Sequence, residues 1–402
     1  MIPDFNLRLR SLIDNNLYFY LQEIASEIGP KIKTSSSKEY IMLGSYSYLG
    51  LSTHPLIKEA AKKAIDKYGS GAGGVRLLAG TTPLHNELES RLADFTKKES
   101  AVLFSSGYVA NLSTISTLLG KNDYILIDQF DHASIIDGCR LSEARFRPFR
   151  HNDMNDLHSK LSNATSFENK LICVDSVYSM DGDISELPSI CKLAEQYGAA
   201  VMVDEAHSLG VIGKNGRGIE EHFNNEISVD ITMGTLSKAI PSIGAFIASD
   251  KATVDYLKHN ARAFVFSASL PPSAVAAALA ALDIIENEPW IVQNLKDNYQ
   301  FFIKGLKSLG YDTLESETAI IPIITKDEDT TLRFCKFLFD RGIFISPIVF
   351  PAVPRNHSRL RAHVMATHTK EDLSRCLEIF SEFQNLAILT VQPSKTSSLW
   401  QQ

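Results

Sequence analysis

Two segments of this chain hold residues whose types suit covalent chemistry: VDEAHSLG, around Asp204, and GTLSKA, around Lys238. An apolar run, Ala200 to Val203, delivers Asp204 to an expected strand end, where a carboxylate can face a pyridine nitrogen and keep it protonated. Protonation makes such a ring an electron sink. A second run, Val229 to Met233, leads through small residues to Lys238. That amine can condense with an aldehyde as a Schiff base once burial and neighbours suppress its charge. A buried acid and a reactive amine together are what a pyridoxal phosphate site requires.

Open parallel sheets bind ligands at the carboxyl ends of their strands, and further candidates fall there. FSSGYVAN follows an expected strand, Ala101 to Phe104, and opens a helix, so the amides around Ser106, Gly107 and Tyr108 would point at an anion. Read alone, the segment is an ordinary strand-to-helix turn with a capping serine. His132, in FDHASIIDG, follows the strand that ends near Ile127; taken singly, such a histidine is most often structural. Ser179, in DSVYSMDGD, and His207, in DEAHSLG, sit just past core strands and could hydrogen-bond a phenolic ring oxygen. Such groups at consecutive strand ends argue for one site.

The elements that must position them alternate. Strands are expected at Ala101–Phe104, Tyr124–Ile127, Arg145–Phe149, Leu171–Val174, Ala200–Asp204, Val229–Met233 and Ala245–Ala248. Helices are expected at Val109–Leu119, Ser134–Leu141 and Leu187–Gln196. Nearly continuous apolar strands alternating with helices predict an α/β fold, a mostly parallel central sheet covered by helices on both faces. Ahead of it, apolar residues recur at helical spacing from Phe5 to Ile28, predicting an amphipathic helix, followed by a strand at Tyr40–Leu43, a helix at Pro55–Lys67 and the glycine-rich loop GSGAGG. Beyond Glu286, a long helix (Ile291–Leu309), strands near Ala319–Ile324, Ile343–Ser346 and Arg361–Val364, and helices Thr330–Asp340 and Lys370–Gln384 predict a smaller C-terminal α+β unit. The expected division is residues 1–50 as an N-terminal helix and strand, 51–286 as a large cofactor-binding domain, 287–390 as the small domain and 391–402 as a loose tail.

Composition narrows the function classes. At 402 residues the chain exceeds one ordinary core, and 44% apolar with 22% charged residues is usual for a soluble globular protein. A net charge of −7 without a basic block argues against a nucleic-acid partner. Five scattered cysteines lack metal-site spacing, so no metal is expected, and they fit a reducing cytoplasm. The most apolar stretch, Ala274–Leu282, is far short of the roughly 20 residues a membrane span needs, which leaves only a peripheral membrane contact open.

The motifs GSYSYLGLSTHP, GSGAGGVRLLAGT, FSSGYVANLSTIS, DHASIIDGCRLS, VYSMDGDISELP, VDEAHSLGVIGKNGRG, MGTLSKA and FSASLPPS occur in order between Gly44 and Ser273. In these, and over nearly all of residues 38 to 385, the chain resembles the α-oxoamine synthases, pyridoxal phosphate enzymes of the aspartate aminotransferase-like fold type I. The resemblance implies that Lys238 forms the imine and moves the proton at the substrate Cα. Asp204 would face the pyridine nitrogen and His132 stack on the ring. His207 and Ser179 would hold the ring oxygen, while Ser106, Gly107, Tyr108 and Thr235 serve the phosphate. Arg361 matches the arginine for the amino-acid carboxylate, a group its fork suits. Arg359 would share its strand face, so the two assignments stay interchangeable here. The resemblance also implies a homodimer with shared sites, in which Ser267 or Ser269 reaches the partner's phosphate.

The implied activity is decarboxylative condensation of an amino acid with an acyl-CoA. Serine with a palmitoyl thioester is the first choice; alanine with a pimeloyl thioester, or glycine, are the alternatives. An aminotransferase or lyase on the same fold, or a silent partner subunit, are the other classes. The chain departs from the common pattern at Tyr46, where many members carry asparagine on the substrate side, and at Ala239–Ser242, which replaces a glycine-rich run. It departs again near Val349 and Phe350, where an arginine is common.

Overall fold

The structure, a computed structural model, describes residues 7–15, 17–18 and 21–389. Its centre is a seven-stranded sheet, in spatial order Ser100–Phe104, Pro241–Ser249, Ile231–Ser237, Ala200–Asp204, Lys170–Asp175, Tyr124–Asp128 and Arg145–Phe149. Pro241–Ser249 runs antiparallel to both its neighbours, and the remaining adjacent pairs are parallel. One edge of the sheet therefore gathers Phe104, Asp128, Asp175, Asp204 and Ser237.

The near-continuous apolar strands reflect two covered faces. Because successive side chains point to opposite faces, Leu126, Ile172, Val174, Val201 and Val203 enter one core, while Ile125, Ile127, Leu171, Cys173 and Met202 enter a second. Each such buried side chain contributes about 1.5–3 kcal/mol, so a charge at Leu126 would undo the layer it sits in. Helices Gly107–Leu118 and Ala133–Leu141 pack together on the second face. The helix Pro272–Asn287 packs on Pro55–Tyr68 and Pro83–Phe95, whose buried residues belong to the first core.

Two three-stranded sheets complete the fold. Ile320–Lys326, Ser358–His363 and Ser346–Ile348 form an antiparallel sheet; Lys31–Lys33, Glu39–Met42 and Ile343–Phe344 form the other. The stretch expected as one strand at Ile343–Ser346 is thus split between sheets. The long N-terminal helix is corrected as well: it spans only Leu7–Asp14. Leu21 has φ of 57°, a left-handed backbone that a helix cannot contain, and Ile24 bridges Thr34 instead. Phe5 and the expected tail, 391–402, lie outside the described residues. Helices Pro83–Phe95, Met154–Ser162 and Lys251–Asn260 were not among the expected elements. No helix among the described residues is long and apolar enough to cross a membrane.

Candidate active site

The strand Ile231–Ser237 ends one residue before Lys238, and its partner Ala200–Asp204 ends on Asp204, paired with Met233. Both side chains are thereby brought to the same sheet edge. Burial pushes the Lys238 amine down to about 8, against the pull of Asp204 and Asp175. Asp204 is 4% exposed. One of its oxygens accepts from Asn111 Nδ2 at 2.7 Å and the other from the Ala206 N–H at 2.8 Å.

Around this pair the geometry is continuous. Nε2 of His207 lies 2.8 Å from Lys238 Nζ, and its Nδ1 lies 2.7 Å from the Tyr48 hydroxyl. Burial, then the nearby Lys238 and Arg361 charges, hold His207 well below its ordinary pKa, so it is neutral. His132 is the N-cap of Ala133–Leu141 and its Nδ1 lies 2.7 Å from the Ser134 hydroxyl. Asn111 Nδ2 donates to that hydroxyl at 2.9 Å as well as to Asp204, so one chain of hydrogen bonds links His132 to the acid. Burial lowers the pKa of His132.

At the neighbouring strand end, Ser106 caps Gly107–Leu118 by accepting from the Val109 N–H. The first-turn N–H groups of Gly107 and Tyr108 have no intrahelical acceptor. Thr235 stands beside them: a Cβ built on Gly107 would lie 3.7 Å from its side chain. Ser237 joins through a 2.9 Å contact with Thr235 Oγ1. The Tyr108 side chain turns away, its hydroxyl on Asp137 and its ring edge-on to His132.

Two expected groups are placed differently from the rest. The Ser179 carbonyl, rather than its hydroxyl, carries the recorded contact, accepting from Arg361 Nη1 at 2.9 Å. Ser267 and Ser269 line a separate recess with Arg76, His85 and Ser105, and the buried Ser269 hydroxyl has no partner there.

Arg359 and Arg361 share a strand, Ser358–His363, but not a role. Arg359 donates to Asp181 at 2.6 Å and to the Met180 carbonyl at 3.0 Å. Among the described residues Arg361 has no carboxylate partner: its Nη1 donates to the Ser179 carbonyl and the Met180 sulfur, and its buried Nε has no hydrogen bond. Tyr46, half exposed, stands edge-on to His363, 6.5 Å between ring centres.

Tyr48, Asn111, Ser134 and Ser237 are the site residues that motif reading passed over. Tyr48 lies inside GSYSYLG and Ser237 inside GTLSKA, both quoted motifs. Asn111 was visible as the one amide in the sequence of Gly107–Leu118, a group that needs a partner where it is buried.

This donor set fits pyridoxal phosphate. A buried amine suits its aldehyde, an acid its ring nitrogen, and helix-end amides with Ser106 and Thr235 its phosphate. A family model described as aminotransferase class I and II matches residues 38–380. A Sphingobacterium spiritivorum protein named serine palmitoyltransferase is 45% identical over 377 residues, covering 94% of each chain. A Thermoanaerobacter pseudethanolicus protein named 8-amino-7-oxononanoate synthase is 44% identical over 376 residues, covering 93% of this chain and 95% of the other. The solved serine palmitoyltransferase of S. paucimobilis superposes with a TM-score of 0.91 at 33% identity, over 96% of this chain and 100% of that one. The chain belongs to the aminotransferase class I and II family and, within it, to the pyridoxal phosphate-dependent α-oxoamine synthases.

Proposed function

We propose that this protein condenses L-serine with a long-chain acyl-CoA, palmitoyl-CoA in the first place, to give 3-oxosphinganine, CoA and carbon dioxide. The observation that carries the chemistry is the buried, pKa-lowered Lys238 at the strand end beside Asp204. Bound there, pyridoxal phosphate supplies an aldehyde for amines and a sink for the electron pair at the substrate Cα. Lys238, as a neutral amine, accepts the Cα proton and later returns it. Asp204 holds the ring nitrogen protonated. His207 and Ser179 serve the ring oxygen; Ser106, Gly107, Tyr108, Thr235 and Ser237 serve the phosphate.

Arg361 takes the substrate carboxylate, because its guanidinium is buried, without an acid partner and beside the Ser179 carbonyl. His132 shields one side of the site and, neutral, can donate to the oxyanion that develops at the thioester carbonyl. Among solved relatives, the serine palmitoyltransferase superposes at a TM-score of 0.91 and an 8-amino-7-oxononanoate synthase from Francisella tularensis at 0.74, so the backbone follows the former more closely. The stretches LKHNAR, FSASLPPS and MATHT also look more like the former enzyme.

The site is completed by a second copy of the chain. Val75 bridges Ala268 and the Gly74 carbonyl accepts from the Ser269 N–H, so the segment around the recess carries Leu78 and Phe266, 86% and 75% exposed. A homodimer would cover them and give the Ser269 hydroxyl a ligand; sedimentation at a monomer mass would remove this part of the reading. The cysteines among the described residues are free, as in a reducing cytoplasm.

Purified protein incubated separately with serine, alanine and glycine, each with short and long acyl-CoAs, tests the substrate assignment by product mass. A long-chain product from serine is expected. Product from alanine and pimeloyl-CoA alone would replace it with the 8-amino-7-oxononanoate reaction. Turnover without any acyl-CoA would replace it with transamination or lysis.

A further inference from the structure

Tyr48 is fully buried, and its hydroxyl has a single hydrogen-bond partner, His207 Nδ1, at 2.7 Å. The opposite nitrogen of the same ring faces Lys238 Nζ at 2.8 Å. Each contact holds one hydrogen, so the row has two consistent arrangements. In the first, the phenol donates to Nδ1, Nε2 carries the imidazole hydrogen, and Lys238 must offer a lone pair. In the second, Lys238, as ammonium or amine, donates to Nε2, Nδ1 carries the hydrogen, and the phenolic hydrogen is left without an acceptor. A buried donor without an acceptor forfeits its hydration with nothing in return, so the first arrangement wins.

We infer that Tyr48 is a positioning residue: by donating to Nδ1 it fixes His207 as the Nε2–H tautomer, which in turn holds Lys238 as a neutral, nucleophilic amine. The inference rests on the reading of Lys238 as the imine-forming residue. The Tyr48–His207 pair adds to a bias that the surroundings already begin. Burial pushes Lys238 toward the neutral amine, Asp204 and Asp175 pull it back toward the ammonium, and Arg361 pushes the same way as burial. Burial first, then the charges of Lys238 and Arg361 and the neighbouring His363 and His132, disfavour the doubly protonated form of His207, which removes that third arrangement. Arg361 and Tyr46 are the charged or titratable groups that act on Tyr48 itself. His363 packs edge-on to the Tyr48 ring at 5.9 Å, but neither of its nitrogens is hydrogen-bonded, so it offers the phenol no second acceptor.

The test uses the full-length chain freed of cofactor. With ¹⁵N-labelled histidine, and His207 assigned by its loss in His207→Asn, the long-range proton–nitrogen spectrum should show the Nε2–H tautomer. In Tyr48→Phe both arrangements leave Nδ1 unpartnered, so the preference fades. The Lys238 amine, followed by the pH dependence of its chemical labelling, should then titrate higher by about half to one pH unit. An Nδ1–H tautomer in the parent chain, or an unmoved Lys238 titration in a folded Tyr48→Phe, overturns the inference. The parent spectrum decides alone if the variant does not fold. Failure of borohydride to attach the cofactor to Lys238 in the holoprotein would instead count against the proposed function, leaving both readouts intact.

Discussion

Arg359 and Arg361 are alike in sequence and stand two residues apart, yet opposite phenotypes follow from their partners. Arg359 is committed: its ion pair with Asp181 has side chains 4% and 15% exposed, at 2.6 Å. Removing one member of such a buried pair strands the other, at a cost of about 3–5 kcal/mol. Arg359→Ala should therefore lower the unfolding free energy of the cofactor-free chain by roughly that amount in a urea titration. Arg361 has only the Ser179 carbonyl and the Met180 sulfur as recorded hydrogen-bond partners, and burial lowers its pKa. Its fork is available for a substrate carboxylate. Arg361→Lys keeps the charge and loses the paired geometry, about 1.5–3 kcal/mol of charge-assisted bonding, or roughly 10- to 150-fold weaker amino-acid binding. Absorbance titration of the holoprotein with serine reads that constant directly, and stability should barely change. The reasoning fails if Arg359→Ala weakens serine binding more than Arg361→Lys does, or if the stability loss belongs to Arg361.

Two further outcomes concern the frame. Glu205 is buried, and burial raises its carboxyl to about 7 although Ser208 and the Ile219 N–H pull it down. A raised folded value means stability is complete below the unfolded value of 4.5 and is lost as pH climbs through 7, by about 3 kcal/mol. In Glu205→Gln the difference from the parent should grow by that amount between acid and mildly alkaline pH; parallel unfolding curves would refute it. Gly182 has φ of 77°, and a Cβ built on it would lie 2.0 Å from the Ile320 carbonyl. Gly182→Ala must push Ile320–Lys326 away from the loop that carries Ser179, so both thermal stability and serine affinity should fall together. An affinity unchanged in a folded variant would disconnect that loop from the site.

Three strand ends were readable because Tyr124–Asp128, Lys170–Asp175 and Ala200–Asp204 each carry an apolar run that stops at an aspartate. Burial on both faces leaves no other place for that transition. Periodicity was weaker elsewhere. The stripe from Phe5 to Ile28 had helical spacing, but spacing does not report that Leu21 is left-handed and exposed. Pro83–Phe95 escaped notice although Leu84, Leu88, Leu92 and Phe95 recur at helical intervals behind a proline at the first position. The separate fates of Arg359 and Arg361 were not readable at all. They depend on Asp181, which reaches Arg359 only through the loop after Lys170–Asp175, a contact between residues 178 positions apart.

Gathering so many acids at one sheet edge would be unfavourable without a partner or a proton for each. Asp128 is taken by His151, which bridges it to Asp183 and is raised to about 10. Asp131 accepts the Asp128 and Asp175 N–H groups, tying two strand ends together, and burial raises its pKa well above the ordinary value. Asp175, paired in register with Asp204, is likewise raised by burial and by that neighbour, and one of its oxygens has no partner. That rise weakens the repulsion on Asp204, whose two oxygens are held by Asn111 and the Ala206 N–H. The result is one oriented carboxylate beside one pKa-lowered amine, with Asp128 paired to His151 and with Asp131 and Asp175 pushed toward their protonated forms by burial. The sheet's strand ends bring the acids together, and the partner attached to each decides which of them remains for chemistry.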